Sequence, residues 1–319
     1  MSGSNDHIGT EERRYGKATM SEAVARLRAG GLVGVPTETV YGLAADSTNA
    51  AAVAEIYRAK GRPDFNPLIV HVPGLEAART LGQFNELAAG FAAALWPGPL
   101  TLVVPKTETC PVAAAVTAGL DTIALRVPAH PVMRELLKAS GLCLAAPSAN
   151  RSGGISPTTA DHVSRSLGTA APLILDGGPC ERGIESTIVA ISGSEYRILR
   201  PGPVTPAELE AIAGRPASVA ASGRIEAPGQ LASHYAPAKP LRLAVREARP
   251  DEYLIGFGPV AGATNLSERS DLAEAASRLF AALHQADAST KPKIAVAPVP
   301  ETGIGLALND RLRRAASPK

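Results

Sequence analysis

Lys60-Gly61-Arg62-Pro63 sets two cations one residue apart beside a proline-fixed turn, a spacing that can clamp phosphate oxygens. Lys60 also ends a run of helical spacing, where the helix dipole favours a cation without any ligand. Arg126 stands in the strand-like run 122–127. Strand parity puts Ile123, Leu125 and Val127 on one face and Thr122, Ala124 and Arg126 on the other. A charge there needs a partner, because burying it alone is costly. A solvated sheet face or a structural carboxylate would meet that need, and so would an anionic ligand. Ala146-Pro147-Ser148-Ala149-Asn150 closes an apolar strand. Serine and asparagine there are ordinary turn and cap formers, and the carboxyl end of a strand is also a common ligand position in α/β sheets. His71 lies within a strand-like run, where a histidine is either a satisfied core residue or a ligand.

The elements that must position these groups follow from periodicity and breakers. Helical spacing runs over 21–29 and stops at Gly30-Gly31, and Asn49 can cap a second helix that ends at Lys60 before Gly61. Further helices are predicted over 86–95, 131–139 and 206–214, and strands over 32–35, 68–72, 100–104, 123–127, 142–146, 173–175, 187–191 and 197–199, with a hairpin turn at 191–196. The mixture predicts an α/β domain with a large mixed sheet. Residues 215–240 are rich in Pro, Ala, Gly and Ser and read as an interdomain linker. Beyond them, strands over 241–245, 253–257 and 294–299 alternate with helices over 271–284 and 306–316, the pattern of a small parallel α/β domain. Gly256-Phe-Gly258-Pro-Val-Ala261 fits a dinucleotide fingerprint in spelling only, because no helix opens directly after it.

Composition removes several function classes. The 319 residues are 45% apolar and carry 32 Lys+Arg against 30 Asp+Glu, too balanced for general nucleic-acid binding, so any polyanion site must be local. The longest apolar runs fall short of the roughly 18 to 20 residues that span a bilayer. The polar N-terminus lacks a signal peptide's apolar segment, so residues 1–15 are expected to be a disordered lead-in and the protein cytoplasmic. Cys110, Cys143 and Cys180 lack metal-ligand spacing and read as reduced structural thiols.

Taken together, the clusters form a family pattern. Pro36-Thr37-Glu38-Thr39-Val40-Tyr41-Gly42-Leu43 is followed by Lys60-Gly-Arg62-Pro63, Asn66-Pro-Leu-Ile-Val-His71 and Trp96-Pro-Gly-Pro-Leu-Thr101. Then come Ala146-Pro-Ser148-Ala-Asn150 with Ser156-Pro157, Glu185-Ser186-Thr187 and Leu199-Arg200-Pro-Gly202. In these motifs, over about residues 16 to 205, the chain resembles the Sua5/YrdC/YciO family. Ala190 departs from an aspartate common among relatives, outside the site motifs. Ala227-Pro-Gly-Gln-Leu-Ala-Ser-His234-Tyr235-Ala-Pro237 and the run from Gly303 through Asn309-Asp310-Arg311 resemble the linker and extra domain of the long, Sua5-type members.

The resemblance implies a YrdC-like catalytic domain over 16–205 with a large twisted mixed sheet and a basic concave face. It implies a linker and lid over 206–240 and a small parallel, Rossmann-like Sua5 domain over 241–319. It implies L-threonylcarbamoyladenylate synthesis from L-threonine, bicarbonate and ATP with release of pyrophosphate. The product would pass to a tRNA threonylcarbamoyl transferase complex, for N6-threonylcarbamoyladenosine in ANN-decoding tRNAs. Carried over residue by residue, Thr39, His71, Arg126, Ala146 and Ser186 would contact threonine. Arg62, Asn66, Thr122, Ser148, Asn150, Ser156, Arg200 and Tyr235 would contact ATP or the adenylate. Lys60, with Arg62, would meet phosphate charge in the transition state. Mg2+ would arrive with ATP, Glu38 or Glu185 being the carboxylates at hand, and no other metal is expected. The competing functions are an RNA- or tRNA-binding module, which lacks interleaved aromatics here, and a carbamoyl-adenylate-forming enzyme, whose zinc-binding regions have no CxxC counterpart.

Overall fold

Asn49 starts the helix that carries Lys60: its side chain accepts from the amides of Ala51 and Ala52, and Gly61 ends the helix at φ 59, the left-handed conformation that glycine adopts without steric penalty. The computed structural model describes residues 11–168, 173–218, 226–229 and 234–317. In chain order the elements are β1 (Glu11–Arg14), α1 (Lys17–Arg28), β2 (Val33–Val35), β3 (Gly42–Asp46), α2 (Ala50–Lys60), β4 (Ile69–His71), α3 (Leu75–Leu81) and α4 (Glu86–Leu95). There follow β5 (Leu100–Pro105), α5 (Ala114–Thr117), β6 (Thr122–Arg126), α6 (Pro131–Ser140), β7 (Leu144–Ala145), α7 (Ala160–Leu167), β8 (Leu173–Asp176), β9 (Thr187–Ser192), β10 (Glu195–Arg200) and α8 (Pro206–Ala213). The last are β11 (Leu241–Arg242), β12 (Glu252–Gly256), β13 (Thr264–Asn265), α9 (Leu272–Ala288), β14 (Lys293–Val296) and α10 (Gly305–Ala316).

The first ten strands form one mixed sheet in the order β1-β8-β2-β3-β7-β4-β6-β5-β9-β10, and the last four form a parallel sheet in the order β11-β14-β12-β13. The α/β class and the pairing of a large mixed sheet with a small parallel one are as the sequence predicts. The hairpin expected at 191–196 joins β9 to β10. After Gly256 the chain turns back through a Phe257–Val260 bridge, and no helix begins until Leu272, so the fingerprint spelling has no fingerprint geometry. Cys110, Cys143 and Cys180 are free thiols.

One expectation needs correction. Glu11–Arg14 is not part of a disordered lead-in. It pairs in parallel with β8 and makes the edge of the large sheet. Residues 1–10 of that expected lead-in lie outside the described residues. The run Glu-Glu-Arg-Arg carries no strand alternation, and only the open edge of a strand more than 150 residues away supplies its backbone partners. The short helices α3, α5 and α7 and the strand β3 were also not legible from period alone. Of the expected linker, 219–225 and 230–233 lie outside the described residues.

Strand parity sorts β6 as expected. Ile123, Leu125 and Val127 join the core beneath the helices α2 and α4, with Val53, Ile56 and Phe91. Ala124 lies on the other face, in a thin layer with Ile69, Val103, Ile188, Leu199 and the linker residue Ala227. That second face is covered by linker, and Arg126 belongs to it.

The C-terminal unit docks on the larger sheet partly through histidine. His162 of α7 and His284 of α9 stack at 3.9 Å, and His284 Nε2 lies 3.1 Å from the Ser156 carbonyl oxygen. Burial, and then the neighbouring His284 ring, pushes His162 down to about 3; burial lowers His284 as well. His71 is held down to about 3 by burial and then by Arg126. These imidazoles are neutral in the fold but bind protons when unfolded, so the unfolded chain takes up more protons below the ordinary histidine value of 6.5. Their contribution is therefore complete above that pH and is lost as pH falls from it toward 3. The urea midpoint is expected to drop between pH 7.5 and pH 5, and to drop less in the His162→Asn/His284→Asn double variant. An equal drop in both proteins would place the acid sensitivity elsewhere.

Candidate active site

β4 and β6 run parallel with His71 paired to Arg126 in register, so the two side chains emerge together from adjacent strand ends. The turn between β2 and β3 brings Thr37, Glu38 and Thr39 over them. Arg126 Nη2 donates to Glu38 Oε1 at 2.7 Å, Nη1 to Thr39 Oγ1 at 2.9 Å and Nε to the Gly98 carbonyl at 3.2 Å. Three of its five N–H groups are thus committed, leaving one on each terminal nitrogen. Burial alone would raise the Glu38 carboxyl, but Arg126 and the amide of Ala129 outweigh it and hold Glu38 below its usual value. His71 is 2% exposed and among the described residues its Nδ1 has no partner. A neutral ring with a free nitrogen facing a cavity can accept or donate one hydrogen bond, according to its tautomer.

The loop after β7 is held from below. Lys60 Nζ donates to the carbonyls of Ser148 and Asn150, and the Ser148 hydroxyl donates to Asn150 Oδ1 at 2.6 Å. The amide of Asn150 in turn ties down the carbonyls of Arg151 and Gly154. Burial, and then the charge of Arg62, pushes Lys60 well below an ordinary lysine. Arg62 donates to the carbonyls of Asn66 and Pro67 at 3.2 and 2.9 Å. Burial lowers it to about 10, so it stays cationic at neutral pH.

β9 and β10 are antiparallel, which sets Ser186 against Arg200. Arg200 donates through Nε and Nη2 to the Ser186 carbonyl and through Nη2 to its hydroxyl at 3.2 Å. Thr101 Oγ1 lies 2.8 Å from the same hydroxyl. His234 and Tyr235 lie on the linker and close the space above. Tyr235 is 0% exposed with φ 62, and among the described residues its hydroxyl has no hydrogen-bond partner. Gly229, at φ 87, leaves no room for a side chain: a Cβ there would sit 2.9 Å from both Arg200 and the Tyr235 hydroxyl. Burial, and then the charges of Arg62, Lys60, Arg200 and Arg311, push His234 well below an ordinary histidine.

One cavity is lined by Thr39, Arg62, His71, Arg126, Ala146, Ser148, Ser186, Arg200 and Tyr235, nine of the residues singled out from sequence. Lys60 and Asn150 stand one layer behind it. Ser156 is fully buried and bonded to Glu185. Asn66 is 1% exposed, and among the described residues neither side-chain amide atom has a partner. Thr122 shares the face of Arg126 but sits at the far end of β6, about 13 Å away at 3.3 Å per residue, and does not line the cavity. Thr101, His234 and Arg311 were not assigned a place in the site from sequence, and Glu38 and Glu185 were considered only as carboxylates for magnesium, whereas here they pair with Arg126 and Arg311. Arg311 had a readable signal, a charge inside the apolar helical stripe of Leu308, Leu312 and Ala315.

The cations are unevenly matched. Arg126 pairs with Glu38 and Arg311 with Glu185. Lys60, Arg62 and Arg200 are 3%, 8% and 4% exposed, and among the described residues they have no carboxylate partner, only carbonyls and hydroxyls. Burying unpaired charge is unfavourable unless an anion arrives to meet it. Among the described residues no group of three or more His, Cys, Asp or Glu is placed to hold a metal ion, and Glu38 and Glu185 are already engaged. The described residues do not form a resident metal site.

Residues 25–202 match the model of the Sua5/YciO/YrdC family, described as telomere recombination, and residues 204–317 match the threonylcarbamoyl-AMP synthase C-terminal domain. The threonylcarbamoyl-AMP synthase of Bacillus subtilis is 38% identical over 96% of this chain and 95% of its own. The crystal structure of Pyrococcus abyssi Sua5 complexed with L-threonine superposes with a TM-score of 0.87 at 35% identity, covering 96% of each chain. Escherichia coli YciO shares the fold over 60% of this chain, at a TM-score of 0.53 and 20% identity.

Proposed function

The chain belongs to the Sua5/YrdC/YciO family with the C-terminal domain of threonylcarbamoyl-AMP synthases, and on that premise we propose how its cavity performs the synthesis. The enzyme forms L-threonylcarbamoyl-AMP for tRNA modification. Its substrates in this reading are L-threonine, bicarbonate and ATP. Bicarbonate condenses with the threonine amine to give an N-carboxylate and water. One oxygen of that carboxylate attacks the α-phosphorus of ATP, the bond to the β-phosphate oxygen breaks, and pyrophosphate leaves. No protein nucleophile is required. The work is positioning and charge neutralisation.

The observation that carries this reading is the set of three buried cations, Lys60, Arg62 and Arg200, without carboxylate partners among the described residues. The two remaining N–H groups of Arg126 suit the threonine carboxylate, and the Nδ1 of neutral His71 can bond to threonine's polar groups. Thr39, Ser186 and the backbone of Ala146 complete that subsite. Arg62, Arg200 and Ser148 hold the phosphates, Asn150 shapes their pocket from behind, Asn66 and Ser156 support the nucleotide, and Thr122 reaches it only if it extends along the sheet face. Tyr235 closes over the adenylate as a lid that excludes water from a labile mixed anhydride. Magnesium enters as part of the ATP complex, since it commonly relies on phosphates and waters. The product goes to a tRNA threonylcarbamoyl transferase complex. Direct polynucleotide binding is not favoured by cations this deeply buried. Among the described residues no helix is long and apolar enough to cross a membrane, which accords with a cytoplasmic enzyme.

The test is pyrophosphate release by the purified chain with magnesium and ATP, with and without threonine and bicarbonate. Release is expected to require both. Release that ignores threonine would replace this reading with ATP hydrolysis or another acceptor.

A further inference from the structure

α10 turns Ala307, Leu308, Leu312 and Ala315 into the second core, and Arg311 stands within that stripe, 0% exposed. Its Nε donates to Glu185 Oε2 at 2.9 Å and its Nη1 to the Pro201 carbonyl at 2.8 Å. These acceptors flank Ser186 and Arg200 in the sequence. Nη1 also donates to Asp310 Oδ2 at 2.8 Å. Glu185 spends its other oxygen on the Ser156 hydroxyl. The Arg311 guanidinium carbon lies 5.3 Å from the centre of the Tyr235 ring, within cation–π range, and Phe280 of α9 packs on that ring at 5.6 Å. Tyr235 is a non-glycine residue at positive φ, a conformation that persists only when its surroundings over-determine it. A buried ion pair is weak evidence for stability, since apolar residues of similar volume often serve as well. A guanidinium that reaches across a domain boundary to two segments of the cavity wall and the tyrosine above them has a more specific use.

We infer that Arg311 is a positioning residue of the adenylate site, contributed by the C-terminal domain. It fixes Glu185, and through it Ser156, and seats Tyr235 over the cavity. Docking of the C-terminal domain and closure of the site are therefore one event. The kinetic consequence rests on the proposed function; the packing consequence does not.

The experiment uses full-length Arg311→Met beside the wild type. Amide hydrogen exchange is followed in peptides covering 234–237 and α9, and the lifetime of protein-bound adenylate is followed after a single turnover with labelled threonine. Exchange over 234–237 is expected to rise about tenfold with α9 still protected, as a local opening requires. Bound adenylate should escape about tenfold faster while KM for threonine changes by less than about threefold, the split that marks an effect on closure rather than on ground-state binding. Unchanged exchange over 234–237 overturns the inference. Equal loss of protection in α9 also overturns it, since Arg311 would then only hold the domain together. If the wild type forms no adenylate, the functional reading fails and the exchange measurement alone decides the positioning role. Should Arg311→Met not fold, Arg311→Lys keeps the charge without the fork, and the same measurements decide.

Discussion

Replacing Arg126 with methionine is expected to lower kcat/KM for threonine by roughly 100-fold or more, the loss of two charge-assisted hydrogen bonds worth about 1.5–3 kcal/mol each. The same change strands Glu38, which is 4% exposed and among the described residues has Arg126 as its only salt-bridge partner. Breaking a buried pair by removing one member costs about 3–5 kcal/mol of stability. The two effects separate in the double variant Arg126→Met/Glu38→Gln. Removing the stranded charge should restore much of the stability, read as the urea midpoint, and none of the activity, read as pyrophosphate release. Recovery of activity in the double variant would mean that Arg126 serves Glu38 alone, and the threonine carboxylate would need another partner.

Lys60→Met should act differently, because Lys60 does not line the cavity. It supports the carbonyls of Ser148 and Asn150 from beneath and adds positive charge to the phosphate side. Its removal leaves the buried Asn150 carbonyl without a donor among the described residues, at a cost of about 1–3 kcal/mol, while the Ser148 carbonyl keeps the Asn150 amide. It also takes away field at the point where charge develops as pyrophosphate departs, an effect that commonly reduces kcat on the order of 100-fold. KM for threonine should stay within about threefold, since the Arg126 side of the site is untouched. Steady-state kinetics with each substrate varied distinguishes the cases. A matched rise in KM for threonine would show that the Ser148–Asn150 loop serves both subsites rather than the phosphates alone.

Most of the frame was legible because its signals are local. Asn49 and Gly61 mark the ends of α2 by capping chemistry, and alternation in 122–127 places Arg126 on the face opposite Ile123, Leu125 and Val127. The site residues came together because the motifs fall at strand ends and the turns beside them: His71 and Arg126 end adjacent parallel strands, while Ser186 and Arg200 flank an antiparallel pair. Glu11–Arg14 was missed for the opposite reason. Its strand depends on a distant edge, and its own composition says nothing of it.

The sequence by itself determined which groups carry charge, where the capped helices such as α2 stop, and which face of β6 bears the arginine, because rotamer, cap and pleat preferences act within a few residues. Only the tertiary structure decided which charges are paired. It gave Glu38 to Arg126 and Glu185 to Arg311 of the other domain, and left Lys60, Arg62 and Arg200 with neutral acceptors. Electrostatic pairing in a low-dielectric interior depends on distances set by packing between segments 88 and 126 residues apart, and no local pattern encodes those distances.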